Sequence, residues 1–345
     1  MAGAAGDPRL HGIRRRKLII RLSLAALLAV FLVGCGACMF SMPGRSWSGS
    51  LPPVAPRHLA VAAALRRDVE MLAGTIGSRN LLAPDRLERA ATYIETRLKE
   101  SGLAPQSQHF TTRRGACRNI EAEIRGRRLP DEIVVVGAHY DSAYGCPGAN
   151  DNATGVAALL ALAAALSGEP PSRTIRFVVF VNEEPPFFQT DEMGSRVYAR
   201  RCRERGEKIV AMLSLETMGS FSDDKGSQKY PWPVGLFYPS RGDFIAFVGN
   251  LGSRSLVRRL VGSFRTHAQF PSEGAALPSW ITGVGWSDHD SFWREGYSAV
   301  MVTDTAVFRY PHYHSAADTP DKIDYSRCAR VVVGLETVFE ELADE

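Results

Sequence analysis

The sequence predicts an α/β protein, a three-layer α/β/α sandwich around a mixed, mostly parallel central sheet. Three observations predict it. Stretches such as 133–136 (IVVV) and 174–181 (TIRFVVFV) are apolar without clean alternation, as expected of strands covered on both faces. They alternate along the chain with segments of helical periodicity, the order that builds a layered α/β domain. His139, Asp141, Asp151, Glu183 and Glu184 all stand where a strand stops or a helix starts, and the carboxyl ends of strands form the crevice where ligands collect in an open α/β sheet.

Composition sets the outer bounds. The 345 residues are 45% hydrophobic and 23% charged, ordinary for a globular chain with one large core or two small ones. The formal net charge of +4 owes much to Arg14, Arg15, Arg16 and Lys17, so no nucleic-acid partner is inferred. Behind that cluster, residues 18–40 are apolar apart from Arg21 and Ser23. Basic residues before an apolar run are the layout of an export signal, and this run is also long enough to span a bilayer. Residues 1–40 are therefore expected to be an export signal or a membrane anchor, placing the remainder outside the cytoplasm. Leu32-Val33-Gly34-Cys35 resembles the lipobox of bacterial lipoproteins, and Arg15-Arg16 resembles a twin-arginine signal. Lipidation at Cys35 and an uncleaved N-terminal helix both stand as readings. Of the six cysteines, Cys117, Cys146, Cys202 and Cys328 lie beyond this segment. Cys117 and Cys146 are close enough to pair if their strands form a hairpin around GRRLP; free buried thiols are the other reading.

A linker rich in Ser, Gly and Pro covers 41–56, and a single domain is expected over 57–345. The apolar spacing predicts helices over 58–72 and 85–103, then short strands over 108–112, 119–124 and 133–138. An Ala-rich helix over 152–166 is suited to close packing on the sheet, followed by the strand 174–181. A helix over 193–205 and a strand over 209–215 deliver Glu216. Residues 221–243, rich in Pro, Gly and aromatics, read as an ordered insertion. Residues 244–264 are mostly helical in pattern, followed by a loop, the strand 299–303 and a closing helix over 325–342.

The chemistry of a hydrolytic two-metal centre requires neutral imidazoles and carboxylates, one shared between the ions, and a base for the attacking water. His139 and Asp141 fit a ligand and its support, since a metal-bound imidazole usually donates its other N–H to an acceptor. Asp151, in an Asn-Asp-Asn turn, is either a bridging ligand or a helix N-cap. Glu183-Glu184 follow an apolar strand directly, where they would repel each other unless a cation holds one of them. Adjacent strand residues face opposite ways, so the backbone must leave strand geometry for both to reach one site. A solvated strand end is the plainer reading of that pair taken alone.

GAHYDS, PGANDNATGV, FVNEE with a later MGS, SDHDSF and YHSAADTPDKID, in this order, resemble the di-zinc aminopeptidases, which share a fold with glutamate carboxypeptidases and glutaminyl cyclases. The resemblance implies that His139 ligates a first zinc, Asp151 bridges two, Glu184 and His314 ligate the second, and Glu183 is the general base with Asp141 behind His139. It also implies a cis peptide at Asp151-Asn152, and Asp288 and His289 match a motif lining the family's pocket, which gives them a role either in binding substrate or in supporting the metal ligands from behind. His312 falls outside the motif and reads as a loop histidine. The remaining ligand of the first zinc is typically an aspartate, whereas this chain has Glu216. The implied function is a zinc exopeptidase, an aminopeptidase acting on a peptide or aminoacyl substrate; attachment to the membrane is expected separately, from the N-terminal segment. A single-zinc glutaminyl-cyclase-like acyltransferase and a non-catalytic binding domain are the alternatives. The insertion 221–243 and the loop 185–188 are expected to shape the pocket, or else to be ordinary loop packing.

Overall fold

The computed structural model describes residues 16–24, 26–27, 34, 36 and 39–344. The chain divides into two compact units, Met1–Ser41 and Met42–Glu345. In the first, residues 16–24 are helical. Most of the expected apolar segment after them, with Cys35 and Cys38, lies outside the described residues.

The second unit is built on an 8-stranded sheet of order β1-β2-β4-β3-β5-β8-β6-β7. The strands are β1 (Gln106–Thr112), β2 (Gly115–Ile124), β3 (Leu129–His139), β4 (Arg173–Phe180), β5 (Lys208–Glu216), β6 (Ile245–Asn250), β7 (Ser272–Leu277) and β8 (Ala299–Thr303). The inner four, β4-β3-β5-β8, run parallel. The outer pairs make the sheet mixed: β2 is antiparallel to β4, and β6 to β8. The helices are α1 (Pro56–Val69), α2 (Pro84–Glu100), α3 (Thr154–Leu166), α4 (Gly194–Glu204), α5 (Arg254–His267), α6 (His289–Arg294) and α7 (Tyr325–Asp344).

The period of two in each strand divides the inner residues between two helical layers. Val134, Val136 and Ala138 of β3 join Phe177 and Val179 of β4 in the larger core, with α1, α2, α3, α5 and α7. Ile133, Val135, Val178 and Phe180 point the other way, onto Tyr198, Ala199 and Cys202 of α4 and Phe292 of α6. A strand sandwiched in this way has no wet face, which is why its sequence shows no polar alternation. The Ala-rich 149–166 segment is apolar enough to cross a membrane, yet 83% of it is buried inside this unit as a core helix.

Three expectations are corrected at one edge of the sheet and in the helix boundaries. The first part of 244–264 is strand β6, not helix, because Ile245 and Phe247 enter the large core while Ala246 and Val248 face the opposite side. A two-residue period within six residues is masked by the amphipathic helix that follows. β7 stands where a loop was expected; its sequence, SEGAAL, has no strand signal of its own and is extended by pairing with β6 from Ser272 to Leu277. The helix expected from Asn152 begins at Thr154, after a wide turn over Ala149–Ala153. Cys117, Cys146, Cys202 and Cys328 are all free and buried, so Cys117 and Cys146 do not pair.

Candidate metal centre

The carboxyl ends of β3, β4 and β5 lie side by side and bring His139, the Glu183-Glu184 pair and Glu216 to the same place. His139 closes β3 with its ring fully buried. Its Nε2 stands 3.3 Å from an Asp151 oxygen, 3.3 Å from Glu216 and 3.9 Å from Glu183. The other ring nitrogen, Nδ1, meets the backbone carbonyl of Asp141 at 3.2 Å, closer than the Asp141 carboxylate at 3.5 Å. That carboxylate has a second task as well. Its two oxygens accept the backbone N–H groups of Glu183 and Glu184, each at 3.1 Å.

The departure from strand geometry required for two adjacent glutamates occurs at Asn182, whose φ of 61° is left-handed. Chain direction changes there, and both side chains turn inward. Glu184 reaches His314 at 2.9 Å, while Glu183 stays beside His139. Asp141 then holds the turned backbone in place.

Asp151 faces both ways. One oxygen lies 3.3 Å from His139 Nε2 and the other 3.0 Å from His314 Nε2. It is not the helix cap; the Asn152 side chain takes that part, its oxygen accepting from the N–H groups of Gly155 and Thr217, each at 3.1 Å. The Asp151-Asn152 peptide is cis. Behind this turn the buried Asp318 carboxylate accepts the N–H of Asn150 at 2.8 Å and of Asp151 at 3.1 Å, and the Tyr310 hydroxyl at 2.8 Å.

Among the described residues two ligand groups result, His139 with Asp151 and Glu216, and Asp151 with Glu184 and His314, the ligating atoms of each within 4.8 Å of one another. Asp151 is common to both. The donor set of imidazole and carboxylate suits zinc. Two further observations fit a cation: His139 Nε2 and both oxygens of Glu184 are buried, and apart from the close approaches of His139 to Asp151 and Glu216 and of Glu184 to His314 they have no hydrogen-bond partner among the described residues. Burial also pushes the Glu184 carboxyl up to about 8 and Glu183 well above the ordinary carboxylate range. Buried carboxylates crowded together are costly unless opposite charge is brought among them. Arg79, itself fully buried, supplies part of that charge nearby, but its guanidinium is occupied by backbone carbonyls, including Tyr140 at 2.7 Å and Gly148 at 2.8 Å.

Glu216 is accommodated where the resemblance expects the shorter aspartate. Ser287 donates to its Oε2 at 2.8 Å, and Ser287 is in turn 3.1 Å from Ser214 on the same strand. Asp288 and His289 are fully buried and lie behind the centre rather than in the pocket. Burial pushes Asp288 up to about 7, with His139 and Glu216 among the charges acting on it. His289 meets the carbonyl of Val284 at 2.8 Å and packs edge-on against Trp293, so it supports the loop before α6. Sequence reasoning passed over Arg79, Asp318 and Tyr313. Asp318 was open to discovery, being four residues after His314 in the quoted motif. Tyr313 stacks on His314 with ring centroids 3.9 Å apart and lines the adjoining pocket. Arg79 sits in a turn with no distinguishing pattern.

Beside Glu216 and Tyr313 opens an apolar pocket of about 850 Å³, mouth included. The insertion 221–243 contributes Tyr230, Val234 and Tyr238 to its wall, so this segment does shape the pocket.

Fold and donor set together fit a zinc-binding α/β enzyme. Comparison narrows the class: residues 119–336 match the model of Peptidase family M28, and the chain belongs to that family. It is 36% identical over 323 residues to the uncharacterized protein YfbL of Escherichia coli (strain K12), spanning 91% of this chain and 97% of that one. Leucine aminopeptidase 1 of Arthroderma otae is 26% identical over 275 residues, 72% of this chain and 67% of its own length. Among solved structures, BSAP, a zinc aminopeptidase from Bacillus subtilis, superposes with a TM-score of 0.65 at 16% identity, covering 86% of this chain and 97% of its own. A glutaminyl cyclase of Fimbriiglobus ruber gives 0.61 at 20% identity, covering 85% and 97%. These structural likenesses concern the fold.

Proposed function

We propose that this chain is an aminopeptidase that holds two zinc ions and releases residues from the free N-terminus of peptides. The observation that carries the reading is the pair of ligand groups sharing Asp151, with Glu183 left over beside them. His139, Asp151 and Glu216 hold one ion; Asp151, Glu184 and His314 hold the other. Bound zinc supplies Lewis acidity, which lowers the pKa of water and polarises a carbonyl.

The protein's own residues do the rest. The Glu183 carboxylate takes a proton from water and hands it to the leaving amine. Asp141 keeps Glu183 and Glu184 divided between these tasks by gripping both backbone N–H groups. Tyr313, stacked on His314, borders both the ligand cluster and the pocket. Full use of His139 and Glu216 favours peptide hydrolysis over a cyclase reaction, because a single-zinc centre has no need of that second ligand group. The same reading tethers the domain outside the cytoplasm through residues 18–40, supported by the basic cluster before the apolar run.

The test is incubation of the zinc-loaded chain with a mixed peptide library, with and without a chelator, followed by mass. Stepwise, chelator-sensitive loss of N-terminal residues is expected. Loss of ammonia from peptides beginning with Gln, without shortening, would replace this reading by the cyclase one. Fractionation of cells producing the chain, with protease added outside, checks the tether: the domain is expected in the membrane fraction and open to digestion.

A further inference from the structure

The pocket beside the centre has a floor that is regular enough to measure. Glu216 on β5 is paired with Thr303 on β8, Thr303 with Ala246 on β6, and Ala246 with Glu273 on β7. These four residues form one cross-strand row, and all four line the pocket. Met301, Val248 and Ala275 form the neighbouring row on the same face. Three strand spacings make the floor about 14 Å long.

That length exceeds any ordinary side chain. An extended covalent chain advances about 1.2 Å per bond, so even the longest side chain, arginine's, reaches only about 7 Å. The floor is also low, since Thr303 and Ala246 are short, and the rest of the lining is mainly apolar. Tyr230 and Tyr238, stacked with centroids 5.8 Å apart, also line the pocket. The far end is fixed and polar. The Tyr238 hydroxyl donates to the Gly274 carbonyl at 2.7 Å, and the Glu273 carboxylate lies 3.5 Å from Arg265. A chain running along the row would remain in apolar surroundings until it met those groups.

We propose that the centre also hydrolyses amides whose acyl part is a linear aliphatic chain of about ten carbons, whose bonds at about 1.2 Å each span about 11 Å and so end just short of the Glu273 side chain that closes the row. The proposal rests on the hydrolytic reading above. The acyl carbonyl lies at the Glu216 end, and the chain crosses β8 and β6 toward Glu273. Water adds to the carbonyl carbon, the C–N bond breaks, and a carboxylic acid and an amine leave. The proton taken by Glu183 goes to the amine nitrogen, and no other reactant is consumed.

The test measures kcat/KM of the zinc-loaded full chain on the p-nitroanilides of acetate, hexanoate, decanoate and tetradecanoate, with leucine p-nitroanilide alongside. Binding of decanoate and acetate is measured by calorimetry in parallel. A rise of about fourfold per methylene, the factor for burying one, is expected up to decanoyl, with no gain beyond. Ala246→Phe, which obstructs the row midway, moves the optimum to hexanoyl or shorter; Val248→Phe, in the neighbouring row, does the same should the first variant not fold. Cleavage of the leucine substrate with a flat or falling acyl series overturns the proposal and leaves the peptidase reading standing. An acyl series unchanged by either folded variant also overturns it. No cleavage of any anilide, with decanoate still binding far more tightly than acetate, overturns the hydrolytic reading while supporting the row as an acyl site.

Discussion

The two halves of the sheet are used differently. β3, β4 and β5 are covered by helices on both faces, and only their carboxyl ends are open; His139, Glu183, Glu184 and Glu216 stand at or just beyond those ends. β6 and β7 are covered by helices on one face, as is β8 beyond Ala299, which packs with α6, while loops and the insertion 221–243 cover much of the other face and leave the apolar pocket. The first arrangement fixes a few polar atoms in place on a rigid frame. The second leaves room, and its shape follows from side-chain size. The difference teaches that catalytic power and substrate choice are separable here: changes at the centre should depress turnover of every substrate, and changes at the edge should reorder substrates.

The strongest way to break that separation is to remove the metal. Chelation is expected to abolish turnover of all substrates and to lower the melting temperature, because the buried carboxylates lose their countercharge. Restored zinc at a thousandfold over its dissociation constant returns about 4 kcal/mol of stability; a chelator-insensitive melting curve would contradict the fit of the donor set to a cation. Glu183→Gln comes next. A loss of about a thousandfold in kcat is expected, with zinc content by elemental analysis unchanged. Metal loss in parallel with activity would make Glu183 a ligand instead of the base.

Asp141→Asn sharpens the picture at the centre. The variant carries one acceptor oxygen for the two N–H groups of Glu183 and Glu184, so metal affinity or activity should fall by about ten- to a hundredfold, equally across substrates. An effect confined to some substrates would place Asp141 with selection. The smallest effect is expected at the edge. Tyr238→Phe removes one hydrogen bond to Gly274, about 1 kcal/mol, and should weaken the longest occupants of the pocket while leaving Leu release intact. A general loss of turnover would show the two halves to be coupled.

The legibility of the two halves in the sequence differs for the same reason. A strand buried on both faces must be apolar throughout, so β3 and β4 declare themselves within a few residues. Their end residues follow automatically, and charge repulsion alone made Glu183-Glu184 conspicuous. β6 and β7 face a core on one side and a cavity on the other, and a cavity imposes no composition. SEGAAL becomes a strand only because β6 is available to pair with it.

Residue type and order by themselves determined the layered fold, the strand ends that carry the ligands and the need for a cation among adjacent acids. Only the tertiary structure decided how those ligands divide. That Asp151 faces two histidines, that Asp141 grips the backbone of Glu183 and Glu184 besides standing beside the His139 ring, and that Glu216, Thr303, Ala246 and Glu273 fall in one row are matters of register between strands remote in sequence. Register is set by pairing and packing across the whole sheet, and local sequence carries no record of which distant residue will stand opposite.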